Sequence, residues 1–353
     1  MLSLVRSFSL VRSAKCAQLS TLNVNNVLLV MLLGSTLQNI LLRYGYKNGL
    51  TFALPVKNWM FSFNEPFNTR MVTQYRWNPS NQFDMMVWHS LWNGPEVDKV
   101  IPKPSKRITL LRDPVDTFES GYVYMGLEKN LKMNINEYAQ WVKMKHFPAR
   151  KPKSWFDKDE LLWDLGADVA KLEGNEYLRD QIKYYETEFD LVLIADRFDE
   201  SLILLQDLLC WDTEDVTYLM QNERDAKFKN TTISPESRLI LQQWLAGDYL
   251  LYDYFNHQLG EKLKHLGTQK VDENLRELRN ANEKLKQSCN AHFVDNESLK
   301  GTPLHMAHHM VKAYDIAENC MYFAMAEPAF YNEIKKKQKE GKPTPQNISK
   351  SKR

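Results

Sequence analysis

The segment Arg107–Gly126, RITLLRDPVDTFESGYVYMG, limits the fold more than any other part of the chain. Ile108, Thr109, Leu110 and Leu111 form a short β-prone apolar run, which predicts a strand buried in a sheet. Arg112-Asp113-Pro114 ends it, because proline cannot donate to a ladder and its fixed φ suits the first turn of a helix. Val115, Phe118, Tyr122 and Met125 then recur at three- and four-residue steps and predict one apolar helix face. A strand that ends in a polar turn and feeds a helix is where open α/β sheets take ligands, beyond the carboxyl ends of their strands. Arg112 stands at that end and Ser120 lies about two helical turns later. An arginine fork and a hydroxyl converging near a helix start suit a phosphate monoester. The same residues allow a plainer reading, in which Arg112 pairs with Asp113 or Glu119 and Ser120 is a helix-surface residue.

A second stretch has the same form. The apolar run Val27–Leu33 leads into Gly34-Ser35-Thr36 and a helix-like stretch ending near Gly45, an arrangement that lets backbone N–H groups approach an anion. With no ligand in view, Gly34–Thr36 reads first as an ordinary helix N-cap cluster. Asp190–Ala195 predicts another buried strand. Asp199 and Glu200 after it either cap the following helix or orient a hydroxyl.

The 353 residues, 43% apolar, suffice for one large domain or one domain with appendages, and the net charge of +2 gives no sign of nucleic acid as a partner. Acidic residues begin only at Glu65, and Ile334–Arg353 carries eight Lys/Arg against Glu340 alone, which predicts a disordered basic tail. Cys16, Cys210, Cys289 and Cys320 show no metal spacing; Cys210, in an apolar run, reads as a buried thiol. His305, His308 and His309 lack the carboxylate or cysteine pattern that completes a metal site. Val271–Gln287 is charged and helix-prone with a sparse apolar line at Leu275, Leu278 and Leu285, which predicts an exposed or interaction helix. Asn230, Asn296 and Asn347 head glycosylation sequons.

LLRDPVDTFESGYVYM resembles the 3′-phosphate-binding segment of sulfotransferases that use 3′-phosphoadenylyl sulfate (PAPS), specifically the galactose-3-O-sulfotransferase family. GSTLQNILLRYGYKNGLTFALP, DRFDESLILLQDLLCWDTEDVTYL and ENCMYFAMAEPAFYNEIKKKQ are similar to further family segments, so the resemblance runs in patches from Gly34 to about Lys339. It implies an α/β sulfotransferase (P-loop-type) fold, a short parallel sheet flanked by helices with a helical C-terminal extension. The divisions expected are 1–26 as a targeting or ill-defined segment, 27–265 as the sulfotransferase domain, 266–333 as the extension and 334–353 as the tail.

The implied reaction moves sulfate from PAPS to the 3-hydroxyl of a galactosyl residue on a glycolipid such as galactosylceramide, or on a glycan, with no metal. Arg112 and Ser120 would hold the 3′-phosphate, and Gly34, Ser35 and Thr36 the 5′ side. FDMMVWHSLWNGPEVDKVIP resembles a family stretch with a His-His pair. Trp88 replaces the first histidine and His89 keeps the second, as candidate base for the attacking hydroxyl. Family members are type II Golgi membrane proteins, which implies a lumenal domain and makes a Cys289–Cys320 bridge an expectation.

The chain departs from the family where its Lys-Thr-Gly-Ser-Ser-Thr-type loop should begin. Val30, Met31, Leu32 and Leu33 supply no lysine. Three explanations follow: a binding paralogue impaired in catalysis, a substitute cation, or an N-terminus from an alternative start, the one favoured here because similarity resumes abruptly at Gly34. A P-loop kinase is the remaining rival, and no G-x-x-x-x-G-K-[ST] match supports it.

Overall fold

The computed structural model describes residues 27–29, 34–57, 59–62, 64–73, 82–149, 156–224, 232–306 and 310–340. In chain order the elements used below are β1 (Val27–Leu29), α1 (Ser35–Lys47), β2 (Met85–Met86), β3 (Lys106–Leu111), α2 (Pro114–Tyr124), α3 (Ile135–Met144), α4 (Asn175–Glu188), β4 (Leu191–Ile194), α5 (Phe198–Leu209), α6 (Pro235–Trp244), α7 (Ala246–Leu266), α8 (Thr268–Ser288), β5 (His292–Asp295), β6 (Lys312–Asp315) and α9 (Glu327–Glu340). The architecture is mixed α/β and mostly helical. Four short parallel strands run in the order β2-β1-β3-β4, with Val27 opposite both Met85 and Lys106, and Leu111 opposite Ile194. All four carboxyl ends therefore lie on one edge.

Ile108–Leu111 and Leu191–Ile194 are buried along their whole length, as continuous apolar runs in a parallel sheet covered on both faces require. Asp113 caps α2 by accepting from Asp116 N at 2.9 Å, and Pro114 takes the first helical position. Val115, Phe118 and Tyr122 bury the expected face of α2 against Ala139 and Val142 of α3 and Leu241 and Trp244 of α6. Each such side chain contributes about 1.5–3 kcal/mol of burial.

On the other side of the sheet, α1 closes onto β2 at Gly45. A methyl group there would collide with Met85 Sδ and the Phe52 ring, both buried. Gly45→Ala is accordingly expected to destabilise the protein by a net ~1–2 kcal/mol in chemical denaturation, overpacking outweighing the gain in helix propensity. A variant as stable as the wild type would show that α1 and β2 do not meet this closely.

Several expectations need correction. The C-terminal part is not wholly helical, since β5 and β6 form an antiparallel ribbon. Of the two readings of the charged helix, exposed or interaction, the first does not hold: on α8, Leu278 is fully buried, Val271 and Leu285 nearly so, and Arg279 reaches Asp199 at 2.9 Å. The stripe packs against α5, α7 and the segment 213–219 that follows α5. The basic tail begins later than position 334. Glu327–Glu340 is helical, with Phe330 and Ile334 in the same apolar cluster as the sheet.

Cys289 and Cys320 are disulfide-bonded across 31 residues, a closure that contributes roughly 3–4 kcal/mol in the loop-entropy picture. Cys210 is also disulfide-bonded rather than a buried thiol. It sits half-buried at the left-handed C-cap of α5. Asn296 is buried, and its amide donates to Met306 O at 3.0 Å and accepts from Met306 N at 2.8 Å. A glycan on Asn296 is incompatible with that packing. Asn230, Asn347, His308, His309 and residues 1–26 lie outside the described residues.

Candidate functional site

The carboxyl edge of the sheet gathers four chain positions. Gly34 and Ser35 open α1 beyond β1, His89 follows β2 by three residues, Arg112 follows β3 directly, and Asp196 follows β4. A cavity of about 620 Å³ opens over this edge, lined by Arg112, Ser120 and Tyr124 on the α2 side and by Arg224, Arg238 and Met310 opposite. The structure thus brings Arg112 and Ser120 to one cavity.

The ion pairs around it bear on the pairing of Arg112 with Asp113 or Glu119. Both carboxylate oxygens of Glu119 take the Arg224 guanidinium, at 2.6 and 3.0 Å. Asp116 pairs with Arg238, and Glu223 with Lys312 at 3.3 Å. Asp113 accepts from the Tyr249 hydroxyl at 2.9 Å and from Arg238 at 3.4 Å. Its backbone N–H donates to Asp196 at 2.9 Å, and Asp196 also accepts from Tyr252 at 3.0 Å. Every acid around the cavity is therefore committed elsewhere, and among the described residues no carboxylate holds Arg112, whose side chain is exposed at the mouth. The pairing of Arg112 with Asp113 or Glu119 does not form. What remains is an exposed arginine fork on the same cavity as the Ser120 hydroxyl.

At α1, Gly34 has φ −56, and a Cβ would meet only Leu110 Cδ2 at an ordinary 3.7 Å. Local backbone geometry does not demand glycine there. Gly34 is exposed and Ser35 half-buried, and the first N–H groups of the helix have no intrahelical partner. Thr36 differs: its buried hydroxyl accepts from Gln221 N at 2.9 Å and lies 3.5 Å from Met220 Sδ. It ties the segment before Arg224 to α1, and a ligand would have to displace that bond to use it.

His89 is partly exposed, with its Nε2 3.8 Å from Oε2 of Glu327 at the start of α9. The Gln38 amide donates to Glu327 Oε1 at 2.8 Å and to Val87 O at 2.9 Å. Through these bonds α1, the strand-end segment carrying His89 and α9 are joined within one cluster. Burial pushes the Glu327 carboxyl up, and the charge of His89 and the Gln38 hydrogen bond pull it back. Burial and then the charge of Glu327 raise the Tyr124 phenol, which lines the cavity with Arg112. The His89 cluster and the arginine cavity are thus neighbours on one edge. Trp88, in the place of the family's first histidine, is fully buried and meets Tyr331 edge-on at 5.5 Å. It is a core residue.

Asp199 accepts from Tyr218 at 2.8 Å and from Arg279, and Glu200 pairs with Arg197. Asp199 thereby anchors α8, and both acids are engaged by protein partners. Among the described residues no group of three or more His, Cys, Asp or Glu side chains could hold a metal ion, and no helix is long and apolar enough to cross a membrane. Glu327, Gln38, Arg224 and Tyr124 are the residues that sequence reasoning missed. Glu327-Pro328 gives only a helix-start signal, and Arg224 none.

Comparison with known proteins identifies the family. Residues 20–313 match the family model described as galactose-3-O-sulfotransferase. The chain is 32% identical over 260 residues to galactosylceramide sulfotransferase of Bos taurus, covering 72% of this chain and 61% of that protein. It is 28% identical over 333 residues to galactose-3-O-sulfotransferase 3 of Mus musculus, 87% and 75% of the two chains. With galactose-3-O-sulfotransferase 2 of Mus musculus it shares 30% identity over 283 residues. It spans about 61% of the galactosylceramide sulfotransferase to which it aligns. The chain belongs to the galactose-3-O-sulfotransferase family.

Proposed function

We propose that this protein transfers sulfate from PAPS to the 3-hydroxyl of a β-galactosyl residue, on galactosylceramide or a related glycolipid or glycan, using a P-loop-type sulfotransferase fold. The uncommitted charge of Arg112 beside Ser120, in a cavity whose acids are all neutralised, carries the reading. That pair takes the 3′-phosphate of the donor. The backbone N–H groups at Gly34 and Ser35 face its 5′ side, where the positive end of α1 favours negative charge. Thr36 joins them where its bond to Gln221 gives way.

His89 receives the proton of the galactose 3-hydroxyl as the oxygen–sulfur bond forms. The bond between sulfur and the bridging oxygen breaks, and its electron pair leaves with 3′-phosphoadenosine 5′-phosphate. The positioned donor and acceptor supply most of the rate enhancement expected of such in-line transfer. The bonded state of Cys210, Cys289 and Cys320 supports an oxidising compartment, consistent with a lumenal Golgi location.

One observation favours a second reading. Val30–Leu33 supply no cation where the donor's bridging oxygen would develop charge, as expected of a donor-binding paralogue without turnover. Incubation of purified protein with radiolabelled PAPS and galactosylceramide or lactose separates the two. Labelled 3-O-sulfated product is the expected result. Donor binding without product assigns the paralogue role, and absence of donor binding overturns both.

A further inference from the structure

We propose that Asp196 is the positioning residue for Arg112. Its carboxylate fixes the peptide that joins the arginine to Asp113, and so sets where the guanidinium leaves the backbone toward the donor's 3′-phosphate. The inference rests on the reading of Arg112 as the phosphate contact. It arises from what the two neighbouring strands do where their ladder stops.

β3 and β4 pair in parallel as far as Leu111 opposite Ile194. Two residues beyond that pair stand Asp113 and Asp196, where the ladder would continue. Pro114 has no N–H to give and keeps the residue before it out of the helical region, and Asp113 has ψ 125° accordingly. The Asp113 N–H donates to Asp196 Oδ2 at 2.9 Å. A side-chain carboxylate thus takes the place of a strand carbonyl one step beyond the sheet.

Asp196 is held in its turn. The Tyr252 hydroxyl donates to the same Oδ2 at 3.0 Å, and the Tyr249 hydroxyl donates to Asp113 Oδ2 at 2.9 Å. The two tyrosines are three residues apart and share one face of α7. Burial raises both phenols, as do Asp113 at Tyr249 and Asp196 at Tyr252, so both remain donors. The first turn of α7 is anchored as well, because the buried Asp248 carboxylate accepts from Leu161 N at 3.0 Å and Leu162 N at 2.9 Å. Asp113 also caps α2 through Asp116 N.

Arg112 therefore lies between a buried strand end and a pinned residue. Its backbone is fixed on both sides and only its exposed side chain is free. Less freedom is lost when such a side chain closes on an anion than when the whole turn has to order with it. A carboxylate repels phosphate, so Asp196 favours the donor only through this turn.

Asp196→Ala removes the acceptor. Asp196→Asn keeps an amide oxygen for the Asp113 N–H and the Tyr252 hydroxyl while removing the charge. Titration with 3′-phosphoadenosine 5′-phosphate and with adenosine 5′-phosphate reads the preference for the 3′-phosphate. That preference is expected to fall roughly three- to tenfold in Asp196→Ala and to stay within about twofold of wild type in Asp196→Asn. Tyr252→Phe, which loosens Asp196 without removing it, is expected to shift the preference the same way by a smaller factor. In the Arg112→Ala background Asp196→Ala is expected to change the preference no further, while lowering the melting temperature as much as it does alone.

An unchanged preference in Asp196→Ala, with affinity for both nucleotides lowered alike, makes Asp196 a structural contact and overturns the proposal. Equal losses in Asp196→Asn and Asp196→Ala overturn it too, since the hydrogen bond is then not what matters. So does a stronger preference in Asp196→Ala, which marks its charge as the larger effect. A preference that survives Arg112→Ala removes the phosphate reading of Arg112, and the role of Asp196 falls with it.

Discussion

His89→Ala is expected to retain no more than about 1% of wild-type kcat, in line with the 10²- to 10⁴-fold that a positioned general base contributes. Three features make this the largest functional effect of a single substitution. His89 lies at the carboxyl edge of the sheet beside the opening of α1. It is partly exposed, so an acceptor hydroxyl can reach it. It also has the partly buried Glu327 carboxylate 3.8 Å away to offset the charge it gains. Removing the ring leaves the arginine cavity intact, so affinity for 3′-phosphoadenosine 5′-phosphate is expected to stay within about twofold. Loss of donor affinity in parallel with kcat would show that His89 supports the fold of the site and not the proton transfer. A galactoside whose 3-hydroxyl is replaced by hydrogen is expected to be inert with both proteins.

Arg112→Ala is the second large effect. A charge-assisted, two-pronged contact to phosphate is worth about 1.5–3 kcal/mol or more, so affinity for 3′-phosphoadenosine 5′-phosphate is expected to fall by roughly 10- to 100-fold. Thermal stability is expected to remain close to wild type, because the side chain is exposed and makes no ion pair among the described residues. The paired arginines behave differently. Arg224→Ala leaves Glu119 without its partner inside the cavity and introduces a repulsive charge near the phosphate. It is therefore expected to lower donor affinity and stability together. A calorimetric titration with a parallel melting curve distinguishes the two classes. Equal losses of stability in both variants would contradict the distinction.

Arg112 and Ser120 were legible because one strand–turn–helix of twenty residues holds both, and the periodicity of Val115, Phe118 and Tyr122 fixes which face of the helix is buried. Leu191–Ile194 was legible for the same reason, as a local apolar run. Glu327 and Gln38 are 289 residues apart, and Glu119 and Arg224 are 105 apart. Nothing in the local pattern of either segment records such a meeting, since a charged residue at a helix start reads as a cap wherever it ends up. Cys210 misled because an apolar run predicts a buried thiol, whereas this cysteine is half-buried at a helix C-cap and disulfide-bonded. The α8 helix was left open between exposed and interacting because a stripe one residue wide does not record the α5, α7 and 213–219 surfaces it packs on. The structure also qualified Thr36, which shares the Gly34–Ser35 motif but has its hydroxyl bonded to Gln221 N.

The central claim is that the cavity at Arg112 and Ser120 reads the 3′-phosphate of the sulfate donor. Titration of the protein with 3′-phosphoadenosine 5′-phosphate and with adenosine 5′-phosphate, which lacks only that group, tests it directly when repeated on Arg112→Ala. The expected result is at least tenfold tighter binding of the 3′-phosphorylated nucleotide by the wild type, with most of that preference gone in the variant. Equal affinities for the two nucleotides in the wild type, or a preference that survives loss of Arg112, would contradict it.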